Sequence, residues 1–279
     1  MAPPEPQPAA AETARRPLVA EIVSRDGLVV AACLAVLVAL AWWWLLDGMD
    51  LAPVKEMPAM AGMPGMDMPP AGGADVWSAV YLGGTFAMWA VMMVAMMLPS
   101  AAPMILLHEL LSRRNGLDGR ATLAFAGSYL ALWIIFALVA ALAQAALVGS
   151  GVVGAGTLAL GDYRLTAFLL MIAAAWQISP LKRLCLIQCQ APFRFLIRHW
   201  RPGTGGAVTM GLRHGLYCIG CCWVLMALLF AGGVMNPAWI AVLTVAVLAE
   251  KYAPADLRAD RVIAALLFAA AVLIWWRGG

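Results

Sequence analysis

The sequence predicts an all-α, polytopic membrane protein with about seven spanning helices, its N-terminus in the cytoplasm and its C-terminus in the periplasm. Hydrophobic residues make up 64% of the 279-residue chain. Charged residues make up only 12%, about half the ~25% usual in soluble domains. So much apolar surface has no place in a water-soluble fold of this length, whereas a bilayer accepts it. The third observation is the placement of Lys and Arg, which favours one orientation of the spans.

Residues 1–27 are rich in Pro, Ala and Glu and read as a disordered cytoplasmic segment. The first apolar run, 28–46, is too long for a cleaved leader and lacks a small-residue cleavage site. Trp42, Trp43 and Trp44 at its end suit the membrane interface. Residues 47–76 form a Pro-, Gly- and Met-rich loop expected in the periplasm. A six-helix membrane domain is expected over 77–279, with spans near 77–98, 122–148, 160–179, 212–232, 235–250 and 261–276. Pro99 and Pro103 are expected to end or kink the first of these. The turn 232–237 leaves the fifth and sixth readable as a re-entrant hairpin instead.

With the N-terminus inside, cytoplasmic segments hold 15 of the 18 Lys and Arg, leaving Lys55, Arg164 and Arg277 outside. The longest cytoplasmic stretch, 180–211, carries Phe193, Leu196, Ile197 and Trp200 at helical spacing among arginines, which suggests an amphipathic helix on the inner leaflet. No basic run points to nucleic acid.

Four segments carry side chains with metal chemistry. In the outer loop, Met57, Met60, Met63, Met66 and Met68 recur where packing gives no reason for them to cluster. Thioethers are soft ligands suited to Cu(I) and Ag(I); compositional drift is the plain alternative. In the second span Met88, Met92 and Met96 share one helical face, with Met93 and Met97 beside it. That stripe reads either as successive weak sites for a soft cation or as ordinary methionine packing.

On the fifth span His214, Cys218 and Cys222 follow at i, i+4 and i+8, Met226 extends the stripe, and Cys221 lies beside it. The face offers an imidazole, thiols and a thioether; its plain alternative is small buried cysteines. Cys185 and Cys189, spaced i, i+4 after Pro180, lie at a similar predicted depth, though sequence does not show that the two clusters touch. His108 and His199 read as solvated or headgroup-facing, and Glu250 with Lys251 as interface anchors, with support of a metal ligand the alternative for Glu250.

The runs Met88-Trp89-x-x-Met92-Met93-x-Ala95-Met96-Met97-Leu98-Pro99, Pro180-Leu181-Lys182-x-x-Cys185-Leu186-x-x-Cys189 and Gly211-Leu212-Arg213-His214-Gly215-x-Tyr217-Cys218-x-Gly220-Cys221-Cys222-Trp223, with Leu248-Ala249-Glu250-Lys251, resemble a bacterial family of predicted metal-binding integral membrane proteins, a domain of unknown function. The resemblance implies metal binding without naming an activity. A weaker, convergent likeness links the Met-rich outer segment and the M-x-x-x-M span to eukaryotic copper transporters.

Together these features imply a non-enzymatic soft-metal protein of the bacterial inner membrane, with Cu(I) favoured and Zn²⁺ an alternative at the Cys/His cluster. It would act in copper uptake or delivery, taking metal from a periplasmic donor and giving it to a cytoplasmic or membrane acceptor. A homo-oligomer is compatible with the sequence. The rival readings are a thiol–disulfide oxidoreductase using Cys218/Cys221 and Cys185/Cys189, and a metal-stabilised scaffold for assembly of a membrane cuproenzyme.

Overall fold

The computed structural model describes residues 25–51, 76–154, 158–253 and 257–278. The expected disorder before residue 25 and all five outer-loop methionines lie outside the described residues. Among those residues the chain is helical and contains no β-strand, only an isolated bridge between Val153 and Leu160. The long helices are α1 (Arg25–Leu51), α2 (Ala79–Arg114), α3 (Gly119–Gly149), α7 (Gly203–Ala227) and α10 (Ala259–Gly278). Shorter ones are α4 (Tyr163–Gln177), α5 (Pro180–Gln190), α6 (Pro192–His199), α8 (Leu229–Gly232) and α9 (Pro237–Tyr252).

Among the described residues, five apolar stretches are long enough to cross a membrane: α1, α2, α3, α7 continued through α8, and α10. The pair α4 and α5, bent by 64°, would make a sixth. Proline and capping residues explain the breaks. Pro180 cannot continue α4, and Ser179 caps α5 by accepting from the Lys182 N–H. Asn236 likewise accepts from the Trp239 N–H and, with Pro237 in the first turn, starts α9. At 16 residues α9 is short for a span.

Two expectations need correction here. The helix that begins at Ala79 does not end near residue 98; it runs through Pro99 and Pro103 to Arg114. Proline at 99 leaves the Ala95 carbonyl without its helical N–H partner, and proline at 103 does the same to the Pro99 carbonyl. The Trp42 indole N–H takes the first at 3.3 Å, and the Tyr252 hydroxyl takes the second at 2.7 Å. Neighbouring helices therefore satisfy the groups that the prolines free.

Within 180–211 lie α5, the amphipathic helix α6 and the first turns of α7. Phe195 and Leu196 are buried, Trp200 packs against the core, and Phe193 and Ile197 face outward. Helix α7 begins at Gly203, well before residue 212.

The interior lies between α2, α3, α7 and α9. Helix α3 packs along both α2 and α7. Its approach to α7 is close because of glycine: a Cβ on Gly211 would collide with the Ser128 Oγ and the Phe125 carbonyl oxygen. Gly215, one turn on, would meet the Leu132 Cδ1 at 2.8 Å. This small-xxx-small surface belongs to membrane helix packing. Helices α1, α4 and α10 lie outside, with Leu37, Trp43, Phe168, Leu266 and Trp276 among their exposed side chains. An apolar exterior of this extent marks a surface made for lipid.

Candidate metal centre

The α5 and α7 cysteines, read separately from the sequence, meet. Helix α5 packs along α7 and brings Cys189 close to Cys218 and Cys221. Cys185 is admitted by a glycine, since a Cβ on Gly220 would lie 2.8 Å from the Cys185 sulfur. Across the gap to α2, the Cys222 thiol lies 3.9 Å from the Met97 sulfur. Cys218, Cys221, Cys222 and Met97 are buried, while Cys185 and Cys189 are half-buried. Five thiols and one thioether from three helices thus face one another.

Polar groups aim at the same spot. The Lys251 ammonium, buried at the end of α9, donates to the Cys218 sulfur at 3.0 Å and to the Ser100 hydroxyl at 2.8 Å. The Ser100 hydroxyl donates to the Met97 carbonyl at 2.8 Å. The Tyr129 hydroxyl reaches that carbonyl at 3.2 Å and lies 3.2 Å from the Cys218 sulfur. A buried cation beside a cluster of thiols offsets the negative charge that thiolate ligation brings into a low-dielectric interior.

Lys251 is held inward by its neighbour. Glu250 is also buried and takes both Lys182 hydrogen bonds, each 2.7 Å, and one from Gln177 at 2.5 Å. Gln190 donates to the Glu250 carbonyl at 2.7 Å. This knot ties α4, α5 and α9 together. Glu250 and Lys251 are therefore not interface anchors, and Lys182 is not a loop charge.

Met88, Met92 and Met96 are buried along α2, and Met97, on the neighbouring stripe, brings its sulfur to 3.9 Å from that of Cys222. Met226 is buried one turn beyond Cys222. His214 lies one turn before Cys218, its ring 5.4 Å from Tyr129 and 5.5 Å from Phe195. Neither of its ring nitrogens has a hydrogen-bond partner among the described residues. His108, expected in a solvated stretch, is fully buried and stacks on Phe125 at 4.6 Å. Sequence reasoning passed over Tyr129, Ser100 and Lys251; the Lys251 signal was a charge ending an apolar helix next to a second charge.

Among the described residues, no three His, Cys, Asp or Glu side chains stand ready as a coordination shell. Cys221 and Cys222 instead donate to the Cys218 carbonyl at 3.1 and 2.8 Å. Thiol and thioether sulfurs are soft donors, suited to soft metal ions.

Fold and site together define an all-helical protein with membrane-length helices and a buried sulfur centre. A family model described as PpoB2, copper chaperone, matches residues 86–274, and the chain belongs to that family. The matched stretch includes every residue of the sulfur centre, and the family's description is of a copper carrier and not an enzyme. No curated protein and no solved structure gives a significant match.

Proposed function

We propose that this chain is a copper chaperone embedded in the bacterial inner membrane. It receives Cu(I) on the periplasmic side and holds it at Cys218, Cys221 and Cys222 of α7, Cys185 and Cys189 of α5, and Met97 of α2. Met57, Met60, Met63, Met66 and Met68 collect the ion from a periplasmic donor, and Met88, Met92 and Met96 lead it along α2. Ligands pass from thioether to thiol in that direction, so binding strengthens inward and release needs an acceptor in the cytoplasm or membrane. Copper is the cargo and keeps its oxidation state throughout.

The observation that carries this reading is the meeting of the two cysteine groups with Met97 beside Lys251. One positive charge suits a monovalent ion held by two thiolates, for which the local charges cancel. The thiol–disulfide alternative needs a pair reachable by a partner dithiol; Cys218 and Cys221 are both buried, which favours the metal.

The test is elemental analysis of protein purified under reducing conditions and loaded with Cu(I). The parent is expected to retain copper, and a Cys218→Ser/Cys221→Ser/Cys222→Ser variant to lose it. Equal copper in both, or none in either, would overturn the proposal.

A further inference from the structure

The sulfur centre leaves two buried histidines unexplained. His108 of α2 and His214 of α7 both stack on Phe125, at 4.6 and 6.2 Å. His108 is fully buried and His214 is 2% exposed. The His108 Nδ1 is held by the Thr122 hydroxyl at 3.0 Å, with the Ser112 hydroxyl at 3.4 Å. Its Nε2 has no partner among the described residues, and neither His214 nitrogen has one. A buried polar atom without a partner carries a desolvation cost, and these three belong to two rings that stack on the same phenyl ring.

This is how ligand histidines are usually arranged. One ring nitrogen is fixed by a hydrogen bond and the other is left free for the metal; His108, fixed at Nδ1 and free at Nε2, has that form. Each histidine also has a buried methionine one turn before it on its own helix, Met104 before His108 and Met210 before His214. The same M-x-x-x-H spacing therefore occurs on α2 and on α7, placing an imidazole and a thioether on one face of each. Both faces belong to the helices that carry the sulfur centre. His214 is one turn from Cys218, and Met104 is two turns beyond Met97.

We infer that His108 and His214, with Met104 and Met210, form a second Cu(I) station next to the sulfur centre. It takes the ion from the cysteines on its way to the end of the bundle where α2 finishes. The transfer is a ligand exchange: copper–sulfur bonds break as copper–nitrogen and copper–thioether bonds form, and no electron moves. Neutral nitrogen and thioether ligands hold copper less tightly than thiolates do, which is what a leaving site requires. This inference rests on the chaperone reading, and its test separates the two.

The experiment is X-ray absorption at the copper edge on the reduced full chain loaded with one and then two equivalents of Cu(I). The first equivalent is expected to show sulfur neighbours alone, and the second to add the outer-shell scattering of imidazole. His108→Phe and His214→Phe keep a ring against Phe125; each is expected to weaken the second equivalent at least tenfold and leave the first unchanged. A parent chain that binds one equivalent only, or two with sulfur alone, would overturn the station without reliance on any variant. So would a second equivalent indifferent to both histidine changes. Failure of the cysteine reading shows elsewhere, in a first equivalent that survives the Cys218→Ser/Cys221→Ser/Cys222→Ser change.

Discussion

Helices α7 and α10 are both apolar enough to span a membrane, yet 56% of the span containing α7 is buried inside the protein and only 17% of α10. Helix α10 is uniform: Leu266, Phe268, Val272 and Leu273 point outward, and only Ala264, Leu267 and Ala271 are buried. Helix α7 instead mixes glycines for close approach with cysteines, a histidine and methionines. Lipid accepts any apolar side chain, so α10 needs no specific residue. The interior is selective because helices there meet other helices, and polar groups must find partners. Apolarity locates the spans, whereas the departures from it locate the site.

This contrast can be broken most forcefully at the polar knot. Glu250→Ala leaves the buried Lys182 ammonium unpaired, a change that costs about 3–5 kcal/mol. A large drop in the thermal midpoint of detergent-solubilised protein is expected, together with looser α5. Lys182→Met combined with Glu250→Leu should recover most of it, because replacing a buried pair by apolar groups is often neutral.

Gly211→Ala comes next. Its new methyl would collide with the Phe125 carbonyl, and overpacking of this kind costs about 1–3 kcal/mol. Gly127→Ala on α3, where a Cβ meets nothing within 4 Å, should instead be neutral or raise the midpoint slightly. Tyr252→Phe removes the hydrogen bond to the carbonyl freed by Pro103, a loss of about 1 kcal/mol by the same measurement. On the outer face, Phe268→Leu should change stability by less than about 0.5 kcal/mol. A lipid-facing change as costly as Gly211→Ala would erase the distinction between the two helices.

The same contrast explains what the sequence made legible. The helical class, the membrane character, and the two cysteine groups were readable from composition and i, i+4 spacing. Their meeting was not, because it depends on the bend at Ser179-Pro180 that turns α5 toward α7. The start of α7 was hidden by Gly203, Gly205 and Gly206, which read as loop but lie in a helix. His108 was misread because Glu109, Arg113 and Arg114 flank it; Glu109 is in fact buried too, bonded to Arg113 at 2.6 Å. Charges near a helix end look like interface anchors from sequence alone, and only the packing of α5 against α9 reveals Lys182, Glu250 and Lys251 as interior groups. Helix α2 outran its expected end because the remedies for Pro99 and Pro103 lie on α1 and α9, remote in sequence.

The central claim is that the α5 and α7 cysteines make one copper site. The most direct test is Cu(I) competition against a chromophoric chelator for four proteins: the parent, Cys185→Ser/Cys189→Ser, Cys218→Ser/Cys221→Ser/Cys222→Ser, and the combination. A single site predicts that either set of changes weakens the same tight equivalent, with losses far from additive in the combined variant. Two tight equivalents, each abolished by one set alone and with additive losses, would contradict it.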